Sequence, residues 1–189
     1  MLLYLHGFNS SPSSFKARVF AEHLRRLGRG DEFVCPALPV SPTLAIHVAK
    51  QEIEQHGGER IGLVGSSMGG YYATWLAEKY DLKAALVNPA VNPFDLLRDF
   101  VGAQKNFHSG VQYTLTLQLV EQLRQFDVAK LKKPECYLLL TQTGDEVLDY
   151  RAAMKKYYGA RQVVIDGGDH SFVGFENYIA PILEFLEQK

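Results

Sequence analysis

The sequence has few cysteines and almost no net charge. Its 189 residues include two cysteines, and twenty basic residues against twenty-one acidic ones leave a formal net charge of −1. Without a charge excess the protein has no overall field to attract nucleic acid or an anionic membrane, so its expected partner is a small molecule. Cys35 and Cys136 lie in apolar, strand-like stretches, which favours two buried free thiols over a disulfide.

Long apolar runs are also missing. Stretches such as Tyr137 to Leu140 fall far short of the roughly 20 residues needed to cross a bilayer. The first residues, Leu2-Leu3-Tyr4-Leu5-His6-Gly7, show no basic leader and no cleavage site of the kind found in secretion signals. We therefore expect a soluble, cytoplasmic protein that does not bind membranes, and the sequence leaves its oligomeric state open.

Short apolar runs instead alternate with longer stretches of helical period along the chain. This alternation is typical of βα units that feed a parallel sheet buried on both faces, here in one domain over residues 1–189. The predicted strands are Leu2–Leu5, Phe33–Pro36, Ile61–Gly65, Ala84–Asn88, Cys136–Thr141 and Gln162–Ile165. The predicted helices are Phe15–Leu27, a helix capped by Ser41 that starts at Pro42 and ends at Gly57-Gly58, Tyr71–Tyr80, and Gly174–Gln188.

Residues 89–134 break this rhythm, because they contain no good strand candidate and are rich in Phe, Leu and Gln. Leu115, Leu119, Val120 and Leu123 have the spacing of at least one helix. The segment is either an enlarged crossover packed on the sheet or a small helical cap over a site at the carboxyl ends of the strands.

The strongest chemical signal is Gly65-Ser66-Ser67-Met68-Gly69, which lies between a predicted strand and a predicted helix. This is the G-x-S-x-G pattern in the context that a nucleophilic serine needs, since the sharp turn exposes the hydroxyl beside the free N–H groups of a helix N-terminus. Glycine at positions 65 and 69 would relieve crowding there. A phosphate-binding turn is the alternative, but Tyr71-Tyr72 follows where a P-loop has Lys and Ser or Thr. Ser67 is therefore the candidate nucleophile.

A nucleophilic serine needs a base and an acid, which in this pattern follow it along the chain. His170 is the candidate base, because it lies in a glycine-containing loop after the last predicted strand. Asp145, after the strand Cys136–Thr141, is the preferred acid that would orient the imidazole. Its competitors are Glu146, Asp149, Asp166 and Asp169. The other histidines, at positions 23, 47, 56 and 108, are interpreted as helix or cap residues.

Acyl transfer also requires two N–H donors aimed at the developing oxyanion. The residue after the nucleophile, Met68, is expected to supply one of them. Gly7 makes the turn after the first strand flexible, so the N–H of Phe8 is the candidate for the other. His6 is then expected to brace this turn rather than to act as a base.

Four strings of the sequence resemble the small bacterial YqiA-type esterases of the α/β-hydrolase superfamily. They are Tyr4 to Pro12, Gly70 to Leu76, Asn88 to Val91 and Gln142 to Arg151. The resemblance implies a compact α/β-hydrolase fold, with a six-stranded, mostly parallel sheet, helices on both faces and a small helical cap insertion. We expect the two leading strands of the larger fold to be absent here. The resemblance then implies six strands with the second in sequence at one edge beside the first and the others following in order.

The family resemblance also implies hydrolysis of short acyl esters, with acyl-CoA thioesters as a second substrate class, and no metal or organic cofactor. Two other functions remain open at the level of sequence. The same three residues would serve an acyltransferase, and the fold also occurs in proteins that bind small molecules without catalysis.

Overall fold

The computed structural model describes residues 1–58 and 60–188. Six parallel strands form the main sheet in the order β2-β1-β3-β4-β7-β8. Their bounds are β1 Leu2–Leu5, β2 Phe33–Val34, β3 Gly62–Ser66, β4 Lys83–Val87, β7 Tyr137–Gln142 and β8 Arg161–Ile165. The predicted strand order and edge position of β2 are confirmed, although β2 is two residues shorter than the predicted Phe33–Pro36.

The helices follow the strands much as predicted. Their bounds are α1 Phe15–Arg26, α2 Pro42–Gln55, α3 Met68–Tyr80, α4 Pro93–Leu96, α5 Leu117–Gln122, α6 Tyr150–Lys156 and α7 Ile179–Glu187. Ser41 caps α2 by accepting a hydrogen bond from the Leu44 N–H at 3.5 Å, and Pro42 is its first residue, as expected. The predicted C-terminal helix is split, because Phe175–Tyr178 form a 3-10 turn before α7.

The two faces of the sheet carry separate apolar cores. Helices α1 and α7 cover one face, where Phe20, Leu24 and Ile182 are fully buried. Helices α2, α3 and α6 cover the other face together with α4 and α5. All four residues of β1 are buried, which explains why this strand reads as a continuous apolar run rather than as an alternating pattern. The α/β class is confirmed.

Residues 89–134 contain a β-hairpin, so the expectation that they hold no strand is wrong. Strands β5 (Gly102–Lys105) and β6 (Gln112–Leu115) pair antiparallel, and Leu115 ends β6 instead of belonging to a helix. Both strands are short, mostly polar and partly exposed, so they carry no apolar run that would reveal them in the sequence. We call residues 102–115 the hairpin.

No helix among residues 1–58 and 60–188 combines the length and the apolar character that crossing a membrane requires.

Both cysteines are free thiols, as predicted, but they are half-buried rather than buried. Burial raises the pKa of the Cys35 thiol to about 12, so this sulfur is a poor nucleophile.

Candidate active site

Ser67 lies at a sharp turn between β3 and α3, which we call the serine elbow (residues 65–69). Its backbone has φ 55° and ψ −121°, a conformation that residues with a side chain rarely adopt. Backbone hydrogen bonds to neighbouring residues hold the elbow in place. The Ser67 N–H donates to the Val87 carbonyl at 3.0 Å, and the Ser67 carbonyl accepts from the Ala90 N–H at 3.0 Å. The strain thus lies at the residue that presents its hydroxyl for chemistry.

Glycine is required on both sides of this turn. A Cβ on Gly69 would overlap the carbonyl oxygen of Leu5, and one on Gly65 would overlap the carbonyl of Gly69. Each obstacle is backbone of an adjacent core element, which cannot move aside as a flexible side chain could. The prediction that these two glycines relieve crowding is confirmed.

His170 and Asp145 complete a hydrogen-bonded chain that starts at Ser67. The Ser67 Oγ lies 3.0 Å from His170 Nε2, and His170 Nδ1 lies 2.9 Å from Asp145 Oδ2. The side chain of Asp145 is 1% exposed and that of His170 is 24% exposed. The carboxylate is therefore shielded from water, while the ring remains within reach of a substrate. The structure brings all three predicted residues together.

The environment of Asp145 favours its charged form. Burial by itself would raise the pKa of this carboxyl, but hydrogen bonds from His170 and from the Leu148 and Val147 N–H groups outweigh burial and hold the pKa below its ordinary value. The two N–H groups lie 2.8 and 2.9 Å from Oδ1. Asp145 is thus an ionised acceptor that can fix the imidazole tautomer with a proton on Nδ1.

The other acidic candidates have different partners. Asp149 caps α6 by accepting from the Arg151 N–H at 2.9 Å, and Asp166 accepts from the Thr143 hydroxyl at 2.9 Å. Glu146 accepts from the His170 backbone N–H at 3.0 Å and does not contact the ring. Among the described residues, Asp145 is the acidic side chain hydrogen-bonded to the imidazole.

Two buried amides that sequence reasoning missed anchor the loop 166–173 that carries His170. Asn88 donates to the carbonyls of Asp169 and His170 at 3.0 and 3.2 Å. Gln142 accepts from the N–H groups of Asp169 and Val173 at 3.1 and 2.9 Å. Both amides are 2% exposed. Their signal in the sequence is weak, because it consists only of a polar residue at the carboxyl edge of two apolar strands: Asn88 directly follows β4 and Gln142 ends β7.

The two residues predicted to supply the oxyanion donors line the same cavity as Ser67. Met68 is the first residue of α3, and Gly7 approaches so closely that a Cβ there would lie 3.2 Å from the Cβ of Ser67. Within the described part of the chain, the N–H groups of Met68 and Phe8 have no hydrogen-bond partner. Both N–H groups are therefore available to donate a hydrogen bond to a ligand.

His6 braces the turn that contains Gly7 and Phe8, as predicted. Its Nε2 accepts from the Leu38 N–H at 3.1 Å, and its Nδ1 lies 3.0 Å from the Gly7 carbonyl. Burial lowers the pKa of His6, which favours the neutral ring that these two bonds require. The side chain is 4% exposed, so it supports the turn and is not placed to exchange protons with a substrate.

Two cavities meet at Ser67 and His170. One has a volume of about 490 Å³ and is lined largely by apolar side chains of the segment 89–134 and of the loop after Asp145. The other has a volume of about 330 Å³ and is more polar. The apolar lining residues are Phe8, Met68, Ala90, Pro93, Leu96, Leu97, Phe100, Ala103, Phe107, Val147 and Leu148. Both volumes lie in the range of small-molecule sites, about 300–1,000 Å³.

Lys16 lines the polar cavity and is half-buried. Its ammonium donates to the Ser171 carbonyl at 2.9 Å, and among the described residues it forms no ion pair with a carboxylate. Burial lowers the pKa of Lys16 to about 8, although Asp169 and Asp145 act in the opposite direction. This cavity therefore presents positive charge to whatever it binds.

No group of three His, Cys, Asp or Glu side chains among residues 1–58 and 60–188 is arranged to hold a metal ion.

A serine elbow at the carboxyl edge of a parallel sheet, followed along the chain by Asp145 and His170, defines the α/β-hydrolase class of fold. Solved structures agree at the level of fold. The chain is similar to a hydrolase candidate from Agrobacterium vitis, with TM-score 0.80 and 19% identity over 98% of this chain and 87% of the other. It is also similar to Est1E from Butyrivibrio proteoclasticus with bound ferulic acid, with TM-score 0.68 and 15% identity over 97% of this chain and 86% of the other. A third similar structure is the monoacylglycerol lipase of Paleococcus ferrophilus, with TM-score 0.68 and 16% identity over 98% of this chain and 93% of the other.

The particular family follows from the sequence itself. Residues 1–187 match the sequence profile of the uncharacterised protein family UPF0227, and the chain belongs to that family. The match covers both the sheet and the segment 89–134. It confirms the resemblance to the YqiA-type family.

Proposed function

We propose that the protein hydrolyses carboxylic esters or thioesters through an acyl-enzyme on Ser67. The observation that carries the proposal is the chain of hydrogen bonds from Asp145 through His170 to the Ser67 hydroxyl, at 2.9 and 3.0 Å. In the first half of the reaction, His170 takes the proton of Ser67 as the oxygen attacks the substrate carbonyl, and then gives it to the leaving alcohol or thiol. In the second half, water attacks the acyl-enzyme by the same route.

The oxyanion of each tetrahedral intermediate would accept hydrogen bonds from the N–H groups of Met68 and Phe8. Such donors contribute because they strengthen as charge develops on the oxygen. One structural neighbour is a monoacylglycerol lipase, which is in keeping with acyl ester hydrolysis.

The two cavities support an orientation for the substrate. The apolar cavity beneath the hairpin fits the acyl chain, because transfer of each methylene from water into such a cavity is favourable by about 0.8 kcal/mol. The polar cavity beside Lys16 fits the alcohol or thiol side, where a polar or anionic leaving group keeps favourable contacts. No metal or organic cofactor takes part in these steps.

The proposal is tested by labelling and by a substrate panel. A fluorophosphonate probe should modify wild-type protein at Ser67, located by peptide mass spectrometry, and should leave Ser67→Ala unmodified. p-Nitrophenyl esters and acyl-CoAs of increasing chain length should be cleaved by the wild type, with turnover lowered about 10³-fold or more in Ser67→Ala. Ser13→Ala, at an exposed serine, is the control and should match the wild type.

Three outcomes would contradict the proposal. Wild-type turnover in Ser67→Ala would show that another group does the chemistry. Absence of labelling and turnover in the wild type would favour the binding-protein alternative. Transfer of the acyl group to an added acceptor alcohol, with little free acid formed, would favour the acyltransferase, because the same acyl-enzyme serves both reactions.

A further inference from the structure

The turn that carries Phe8 is hydrogen-bonded to the hairpin. Asn9 and Ser10 follow Phe8 directly, and four hydrogen bonds join these two residues to the hairpin. The bonds are Asn9 Nδ2 to Gln104 Oε1 (3.1 Å), Tyr113 Oη to Asn9 Oδ1 (2.6 Å), Phe107 N to the Asn9 carbonyl (2.9 Å) and Asn106 Nδ2 to the Ser10 carbonyl (2.8 Å). The side-chain bonds of Asn9 thus all go to the hairpin.

Asn9 has a backbone conformation that needs such support. Its φ is 54°, in the left-handed region, which is unfavourable for a residue with a Cβ. Asparagine tolerates this region better than most residues, and here its amide is buried at 9% exposure with both polar atoms satisfied. The contacts from the hairpin therefore stabilise a turn that would otherwise have other conformations available.

Tyr113 holds the turn in a second way. Its ring meets that of Phe8 edge to face, with centroids 6.5 Å apart and an interplanar angle of 80°. Burial raises the pKa of Tyr113 to about 12, so its hydroxyl stays a donor to Asn9 over the working pH range. One side chain of the hairpin thus contacts both Phe8 and Asn9.

We propose that Asn9 and Tyr113 are positioning residues through which the hairpin fixes the Phe8 N–H in the oxyanion hole. The inference rests on the proposed acyl-enzyme chemistry. It makes the hairpin part of the device that stabilises the transition state, and not only a cover over the apolar cavity.

A displaced donor has a specific kinetic consequence. The oxyanion forms in the transition state and not in the bound substrate, so misplacing the Phe8 N–H should lower kcat and leave KM nearly unchanged. Complete loss of one oxyanion donor lowers kcat by about 10²–10³-fold in another serine hydrolase. A donor that is loosened but still present should have a smaller effect, about 10-fold to 100-fold.

Two variants test this in the full chain. Tyr113→Phe removes the hydroxyl and keeps the ring against Phe8, and should lower kcat about 10-fold. Asn9→Gly keeps access to positive φ but removes every side-chain bond, and should lower kcat about 30-fold to 100-fold. Tyr158→Phe, at a tyrosine that is 85% exposed, is the matched control and should equal the wild type.

A trifluoromethyl ketone inhibitor that carries the best acyl chain of the panel gives a second readout, which is interpreted together with the separate values of kcat and KM. Its adduct with Ser67 bears an oxyanion, so its inhibition constant should rise in each variant by the same factor by which kcat/KM falls. A purely structural role of the hairpin would weaken substrate and ketone equally, and would show as a raised KM.

Unchanged kcat and ketone affinity in an active Tyr113→Phe protein would overturn the inference, and so would a raised KM with unchanged kcat. If Asn9→Gly fails to fold, Tyr113→Phe decides alone. These results differ from failure of the proposed function, in which the wild type itself cleaves no ester or thioester.

Discussion

The serine elbow and the hairpin border the same cavity but are held in different ways. The elbow is fixed by backbone packed so tightly that no side chain fits at Gly65 or Gly69. The hairpin is largely exposed, and polar side chains join it to the turn after β1. The difference separates two kinds of support: Ser67 sits on tightly packed backbone, while the turn that carries Phe8 depends on polar side-chain contacts with the hairpin.

The largest expected effect concerns Asp145, which holds the imidazole beside the serine elbow. Asp145→Asn preserves the volume but removes the charge that stabilises the imidazolium and fixes its tautomer, so kcat should fall by about 10⁴-fold, as the same substitution does in another triad. Steady-state hydrolysis of the best p-nitrophenyl ester measures it.

Asp149→Asn is the matched control, because Asp149 caps α6 and is not bonded to the imidazole. It should retain most of the activity, since asparagine caps a helix about as well as aspartate. A crippled Asp149→Asn together with an active Asp145→Asn would reverse our assignment of the acid.

Alanine at a glycine of each region gives a direct comparison of their packing. Gly69→Ala should lower the free energy of unfolding by about 4 kcal/mol or more, because its Cβ overlaps the backbone of β1. In Gly110→Ala, in the hairpin turn at φ +71°, the new Cβ would lie 3.8 Å from the Cε of Lys105, an ordinary contact, so the loss should be only the roughly 1–2 kcal/mol cost of a left-handed conformation. Urea unfolding followed by circular dichroism measures both, and equal losses would contradict the comparison.

The amides behind His170 should have an intermediate effect. Asn88→Asp keeps the acceptor for the Gln142 N–H at 3.0 Å but turns the donor to the carbonyls of Asp169 and His170 into an acceptor. Repulsion should displace the imidazole, and kcat should fall about 10-fold to 100-fold with little change in KM. The exposed Asn177→Asp is the control. A kcat equal to that of the wild type would mean that the loop is held without Asn88.

The smallest expected effect concerns Lys16 and is a dependence on pH. Its folded pKa of about 8 lies below the ordinary value, so between about pH 8 and 10.5 the unfolded chain holds a proton that the folded chain has lost. Over this window the stability of the wild type should rise relative to that of Lys16→Met, by about 1 kcal/mol because the half-buried charge is partly screened.

Urea unfolding at pH 7.5 and pH 10 measures this difference in stability. Lys155→Met, at an exposed lysine of α6, is the control that should show no such change. A pH-independent difference between the wild type and Lys16→Met would contradict the lowered pKa of Lys16.

Much of the main sheet was predictable, because a strand buried on both faces must be apolar along its whole length. The runs around Leu63, Leu86 and Leu139 carry that signal, and the G-x-S-x-G turn marks the strand-to-helix junction. The hairpin was not predictable in this way, since Gly102–Lys105 and Gln112–Leu115 bury little apolar surface and show no periodic pattern.

The sequence by itself determined the fold class and the residues 67, 145 and 170 as candidates, since these depend on local periodicity, turn chemistry and chain order, while the strand order came from the resemblance to a known family. Only the tertiary structure decided which carboxylate meets the His170 ring, and that Asn88 and Gln142 anchor its loop. It also showed that the hairpin contacts Asn9. These contacts join residues far apart along the chain through single polar atoms, and sequence spacing carries no information about such distances.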